Sequence, residues 1–208
     1  MRSTAFKRRA KPPPEAVSRA HLLQVYVADY NAMATRINTF MALQFVPWPP
    51  LVVVLGLVVN AFNTRTSSTS VSAFDPDTTS FVVWLTVMAV HAAVYVYLFS
   101  LYEVYNHSRY VETELRPKLS EIINIQPNWG YERFLIKTGK ANKPQSGDSG
   151  VLVLPIVAIL FAFYQRATSE LSWMDLLFFL NIWALWNARQ MVYRVFAARE
   201  RMFRAIDA

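Results

Sequence analysis

From Phe81 to Tyr102 the chain reads FVVWLTVMAVHAAVYVYLFSLY, a run without a charged residue, a Gly or a Pro and with a single His. As a helix rising ~1.5 Å per residue, such a run crosses the ~30 Å hydrocarbon layer of a bilayer. It passes directly into EVYNHSRYVETELRPKL, where Val111, Leu115, Leu119 and Ile122 recur at helical spacing. There Glu112/Arg116 and Glu114/Lys118 stand four apart in the favourable acid-before-base order. One helix from Phe81 to about Ile123 is therefore expected, joining a membrane layer to a water-soluble one. The expected fold is all-α: a polytopic membrane protein with four transmembrane helices and cytoplasmic helical extensions forming a small bundle.

Composition agrees, with 54% apolar and only 17% charged residues, below the soluble average of about 25%. The spans are placed at about 40–62, 81–102, 150–166 and 172–188. The first is interrupted by PWPP; Pro47, Pro49 and Pro50 remove the amides that would bond the carbonyls of Leu43, Phe45 and Val46. A kink or a restart of the helix at the inner interface, anchored by Trp48, is the plain expectation; a local opening that lines a polar cavity is the functional alternative. The third apolar segment, residues 151–164, is short and contains Pro155, so length alone suggests a re-entrant segment. Charge bias opposes that, because the last span would then end outside and export Arg189, Arg194, Arg199, Arg201 and Arg204. Four spans put every basic segment, and both termini, on the cytoplasmic side.

Around the membrane domain, 40–188, the chain divides into a disordered basic arm (1–14), an amphipathic helix (15–39), an insert (103–149) and a C-terminal helix (189–208). Leu23, Tyr26, Tyr30, Met33, Ile37 and Phe40 alternate three and four apart, a stripe that requires a partner helix. Asp29 and Arg36, roughly on one side of that helix, are expected to form a solvated or structural ion pair. With Val192, Phe196, Phe203 and Ile206 on the tail helix, the three extensions are expected to pack as a bundle or between subunits. Val111, Leu115, Leu119, Leu23, Tyr30, Phe196 and Phe203 are the expected cytoplasmic assembly surface. Arg8, Arg9, Lys11, Arg189 and Arg194 are expected to meet lipid headgroups. After Leu119 the helix should fade through SEIINIQPNWGYERFL into a flexible basic linker.

Chemistry is sparse. No nucleotide-binding, kinase, zinc-protease or nucleophile-elbow motif occurs, and His21, His91 and His107 are too scattered to ligate a metal. Without cysteine there is no thiol nucleophile or disulfide. Glu112, Glu114 and Glu121 read as a solvated helix face. The formal charge of +7 is expected to serve topology rather than nucleic acid. His91, Asn181 and Asn60 stand inside spans, where polar groups are functional candidates by default. His91 and Asn181 fall at comparable predicted depth, so a structural clamp between them, or onto the carbonyls freed by PWPP, is expected; a proton-sensitive gate at His91 is the alternative.

RYVETELRPKL followed by NWGYERFL resembles a loosely related group of uncharacterised bacterial multi-pass proteins. These carry an aromatic residue, an acidic-Leu-x-Pro-x-Leu run and a Trp with a nearby Glu after their second span. The resemblance covers Tyr110 to Leu135, with Tyr131 and Glu132 at a slightly different spacing, and implies a small membrane protein, in some cases a membrane-disrupting defence effector. The expected function is non-enzymatic: an accessory or structural subunit of the bacterial inner membrane, assembled with itself or with other membrane subunits. An oligomeric channel-like effector gated from the cytoplasm is the alternative, and the mitochondrial inner membrane the alternative location. No cofactor and no nucleic acid is expected; bound lipids are.

Overall fold

The computed structural model describes residues 14–67, 76–125, 150–167 and 172–207. Arg8, Arg9, Lys11, residues 68–75 of the polar loop after the first apolar run, and the NWGYERFL segment with its linker lie outside them. The described residues are all-helical. They form α1 (Pro14–Leu43), α2 (Trp48–Ser67), α3 (Pro76–Tyr110), a π-helical turn (Val111–Leu115), α4 (Arg116–Ile123), α5 (Val153–Ala167), a 3-10 turn (Trp173–Leu176) and α6 (Leu177–Asp207). Two stretches are long and apolar enough to cross a membrane, Ser18–Val58 and Asp77–Ile123; the apolar part of α5, Val153–Tyr164, is shorter.

The prolines act where they stand. α1 stops at Leu43, Trp48 donates its amide to the Phe45 carbonyl at 3.4 Å, and α2 restarts with Leu51 bonding Pro47 at 3.3 Å. The Phe45 oxygen that Pro49 cannot serve thus finds a turn donor, and the break is a helix restart. Pro155 sits in the first turn of α5, where its missing amide costs nothing.

α3, the π turn and α4 run without interruption to Ile123, as the uncharged run and its charged continuation predict. The one irregularity precedes Pro117. A proline there cannot donate to the Thr113 carbonyl and its ring crowds that turn. The helix widens just ahead of it, with the Arg116 amide reaching five residues back to Val111.

This long helix is central, and α6 lies beside it in parallel. Cross-links join the two at their starting ends, between residues 91, 95, 95, 96 and 97 positions apart. Along the seam α3 buries Trp84, Val87, His91, Val94 and Leu98, alternately three and four apart. α6 meets them with Asn181, Ala188, Met191, Val195 and Ala198. Such alternation keeps one face turned to one partner, as in a coiled coil. α5 closes the outer end, where Trp84 meets the rings of Phe163 and Phe178 at 5.9 and 5.7 Å. α2 covers Val90 and Ala93 with Leu51, while Trp48 reaches Tyr97 at 6.1 Å.

Below Trp48, α1 turns its predicted stripe onto the lower half of α3 and onto α4. Leu23, Tyr26, Tyr30, Met33, Ile37 and Phe40 are all half-buried, and most residues between them are exposed. Phe40 packs edge-on to Phe99 at 6.2 Å, and Lys118 sits over the Tyr26 ring at 5.8 Å. α1 is therefore antiparallel to α3 and α4. Val111, Leu115 and Leu119 are buried within this chain and Phe196 and Phe203 half-buried. The extensions pack as an intramolecular bundle, the first of the two arrangements expected, and these side chains are largely consumed by it.

Candidate functional site

The buried polar groups of the described residues string along α3 at three levels. At the outer end two carboxylates form a reciprocal clasp. Asp77, in the first turn of α3, accepts from the Ser172 hydroxyl and from Trp173 Nε1 at 3.1 Å. Asp175, at the start of the other helix, accepts from the Ser80 hydroxyl at 2.5 Å and from Trp84 Nε1 at 2.9 Å. Each acid thus binds a Ser and a Trp of the opposite helix. Asp175 also accepts from the Ser172 amide at 2.9 Å, completing a capping box in which Ser172 receives the Met174 amide at 3.1 Å. One level further in, Asn181 Nδ2 donates to its own helix at Leu177, 3.0 Å, and at the limit of hydrogen-bond distance, 3.5 Å, to the Trp84 carbonyl. The clasp fixes both the parallel sense and the register of α3 and α6. Sequence reading passed over it: Asp77 and Ser80 belong to the polar loop, Ser172 and Asp175 to the first residues of the expected fourth span, and only the fold brings them opposite one another.

His91 lies in the seam, 4% exposed. Its Nδ1 is 2.8 Å from the Val87 carbonyl of its own helix, and Nε2 has no hydrogen-bond partner among the described residues. The clamp expected between His91 and Asn181 is not what these contacts make. Asn181 is level with Trp84, and His91 stands seven residues, about 10 Å at ~1.5 Å per residue, further along α3. The PWPP carbonyls receive neither side chain in the contacts described, and Asn60 is exposed on α2. Pro47 and Pro50 instead help line an apolar groove between α2 and α3, walled by Ala89, Ala92, Ala93 and Val96.

The third level is the π turn. The sequence offers two equivalent i,i+4 pairs, read as part of a solvated face, and the fold treats them oppositely. Glu114 and Lys118 are half-exposed with their charges 3.4 Å apart. Glu112 and Arg116 are buried, at 2.6 Å, beside Ser108 and Ser120. Glu112 therefore does not belong to a solvated face. π-helical turns recur at functional sites, and the pair that spans the end of this one is buried, although its charges also cost desolvation. Asp29, expected to pair with Arg36, accepts instead from the Tyr110 hydroxyl at 3.1 Å and ties α1 to α3. This bond holds the Tyr110 proton and raises its pKa above the ordinary tyrosine value. His107 packs against Phe40 at 5.6 Å, with Nδ1 at 2.7 Å from the Glu103 carbonyl. Arg189 and Arg194 are exposed on α6.

No protein-family model, curated protein or solved structure matches the chain.

Proposed function

We propose that the chain is a four-span integral membrane protein, non-catalytic, that works by assembly with itself or with other membrane subunits, as an accessory or structural subunit. The observation that carries this reading is the outward surface of the helices. Val52, Val53 and Leu57 on α2, Leu85 and Val96 on α3, Val157 and Leu160 on α5, and Phe179, Ile182 and Trp183 on α6 are all exposed. Only 6% of the apolar window that includes α2 is buried. A surface so continuously apolar has no aqueous rationale and suits lipid. α5 is short for a span, and its small reach is consistent with a locally thin bilayer. Lys and Arg concentrate on the segments assigned to the inside, which favours a bacterial inner membrane with both termini cytoplasmic.

Assembly rather than catalysis is favoured because the described polar groups are largely spent on packing. Asp77 and Asp175 hold the clasp, Glu112 holds Arg116, and Asp29 holds Tyr110. The seam between α3 and α6 is apolar at Val94, Leu98, Met191 and Val195, so one copy offers no conduction path there.

Topology is testable directly, because the chain has no cysteine. Thr78→Cys at the outer end should react with an impermeant maleimide in intact cells, and Thr113→Cys only after permeabilisation; equal labelling of both would refute the four-span arrangement. Purification of the full chain in mild detergent with native mass determination tests assembly. Stoichiometric membrane subunits, or a defined homo-oligomer, are expected, and a strict monomer would overturn the assembly role. Ion conductance in liposomes would move the reading to a channel.

A further inference from the structure

On the outer face of α6 the exposed residues change character abruptly. Phe179, Ile182, Trp183 and Trp186 precede Arg189, and Tyr193, Arg194, Arg201 and Arg204 follow. Arg189 stands at that change and is held in place. Its guanidinium lies 5.6 Å from the Trp186 ring and 5.7 Å from the Tyr193 ring, and it donates to the Tyr193 hydroxyl at 3.2 Å. Two rings and one hydroxyl thus hold the cation in place while most of its N–H donors stay uncommitted. Among the described residues no carboxylate contacts it. The neighbouring acids in sequence, Asp175 and Glu200, are taken up by the clasp and by Arg204.

Depth makes this arrangement informative. The 97-residue separation of Asn181 and Trp84, carried along both helices, sets Arg189 level with Ala92. The aromatic contact of Trp48 with Tyr97 is more than one turn nearer the cytoplasm. Arg189 therefore leaves its helix about five residues, ~7 Å, on the membrane side of that contact, a distance its long side chain can span, and an unneutralised charge at such a depth is costly. A planar guanidinium exposed to lipid and lacking a carboxylate recruits the anion that this depth supplies, a phosphodiester, which it can grip with two parallel N–H bonds.

We propose that Arg189, held between Trp186 and Tyr193, is a binding site for the headgroup phosphate of an anionic phospholipid of the inner leaflet. The proposal rests on the four-span reading above. The test uses the full chain reconstituted in vesicles of phosphatidylcholine alone or mixed with phosphatidylglycerol, re-extracted in mild detergent, with retained lipid read by native mass spectrometry. Wild type should retain phosphatidylglycerol in preference to phosphatidylcholine. Arg189→Gln should lower that retention on the order of fivefold, the worth of one charge near a membrane surface. Arg189→Lys should fall between, because an ammonium keeps the charge but loses the forked donors, and Arg204→Gln, whose guanidinium is taken up by Glu200, should stay close to wild type. Equal retention by Arg189→Gln and wild type, or no preference between the two lipids, would overturn the site. Displacement of the lipid by millimolar glycerophosphate would also overturn it, by showing a site for soluble phosphate esters. Carbonate extraction of membranes from the same cells keeps the two readings separate: release of wild type defeats the four-span reading, whereas retention with flat lipid binding defeats only this one.

Discussion

Asp175→Ala is the sharpest test of how the helices are held. The carboxylate accepts from Ser80, Trp84 and the Ser172 amide, and both Ser80 and Trp84 are buried, at 0% and 2% exposure. Truncation strips the acceptor from two buried donors, at about 1–3 kcal/mol each, and removes one arm of a capping box worth about 1 kcal/mol. Contacts inside membrane proteins measure lower, about 0.6 kcal/mol on average, so three of them set a floor near 2 kcal/mol. The expected loss is about 2–7 kcal/mol. For a chain of this size each kcal/mol moves the midpoint by about 2–4 °C, which places the fall in Tm on the order of 10 °C. Thermal unfolding in mild detergent, followed by tryptophan fluorescence, reads it. Asp175→Asn, which keeps one oxygen, should lose less, and a double-mutant cycle with Trp84→Phe should show coupling. A shift within experimental error for Asp175→Ala, or strict additivity with Trp84→Phe, would refute the clasp as the device that sets the α3–α6 register.

Leu98→Ala empties a fully buried position between α3 and α6 and should cost about 2–5 kcal/mol, again read as a fall in Tm. Glu112→Ala leaves the buried Arg116 guanidinium without its carboxylate and should cost about 3–5 kcal/mol; Glu112→Leu with Arg116→Met should recover most of that, and a double variant as unstable as the single would show the pair to be indispensable. Tyr110 has its pKa raised in the folded chain by the hydrogen bond to Asp29. Its contribution to the docking of α1 is therefore fully present below the ordinary tyrosine pKa and lost as pH rises through the raised one. Limited proteolysis of α1 should increase over that alkaline window in wild type, and Tyr110→Phe should show no such step.

Periodicity carried a great deal of this. The alternation from Leu23 to Phe40 named the face of α1 that packs, since a helix has one face at that spacing whatever its partner. The PWPP break was equally legible, because a missing amide is a property of the residue itself. The π turn was not: Pro117 was visible, but whether a helix ends, kinks or widens ahead of a proline depends on the packing on either side. His91, Asn181 and Asn60 were singled out only as polar residues inside apolar runs; the structure buries the first two and exposes the third, and the expected meeting of His91 with Asn181 rested on span boundaries too coarse to resolve the seven residues between Trp84 and His91.

Local sequence thus determined the apolar helical runs, the PWPP break and the apolar stripes, because these follow from backbone chemistry and side-chain spacing within a few turns; it missed the polar helix ends, since α2 runs on to Ser67 and α3 starts at Pro76 within what reads as a loop. Only the tertiary structure decided the rest. The parallel register of α3 and α6 depends on Asp77 and Asp175 finding Ser and Trp donors almost a hundred positions away. Glu112/Arg116 and Glu114/Lys118 show it most plainly. Their spacing and chemistry are nearly the same, but one pair is buried and the other half in water, because burial belongs to the face a neighbouring helix covers and not to the residues that stand on it.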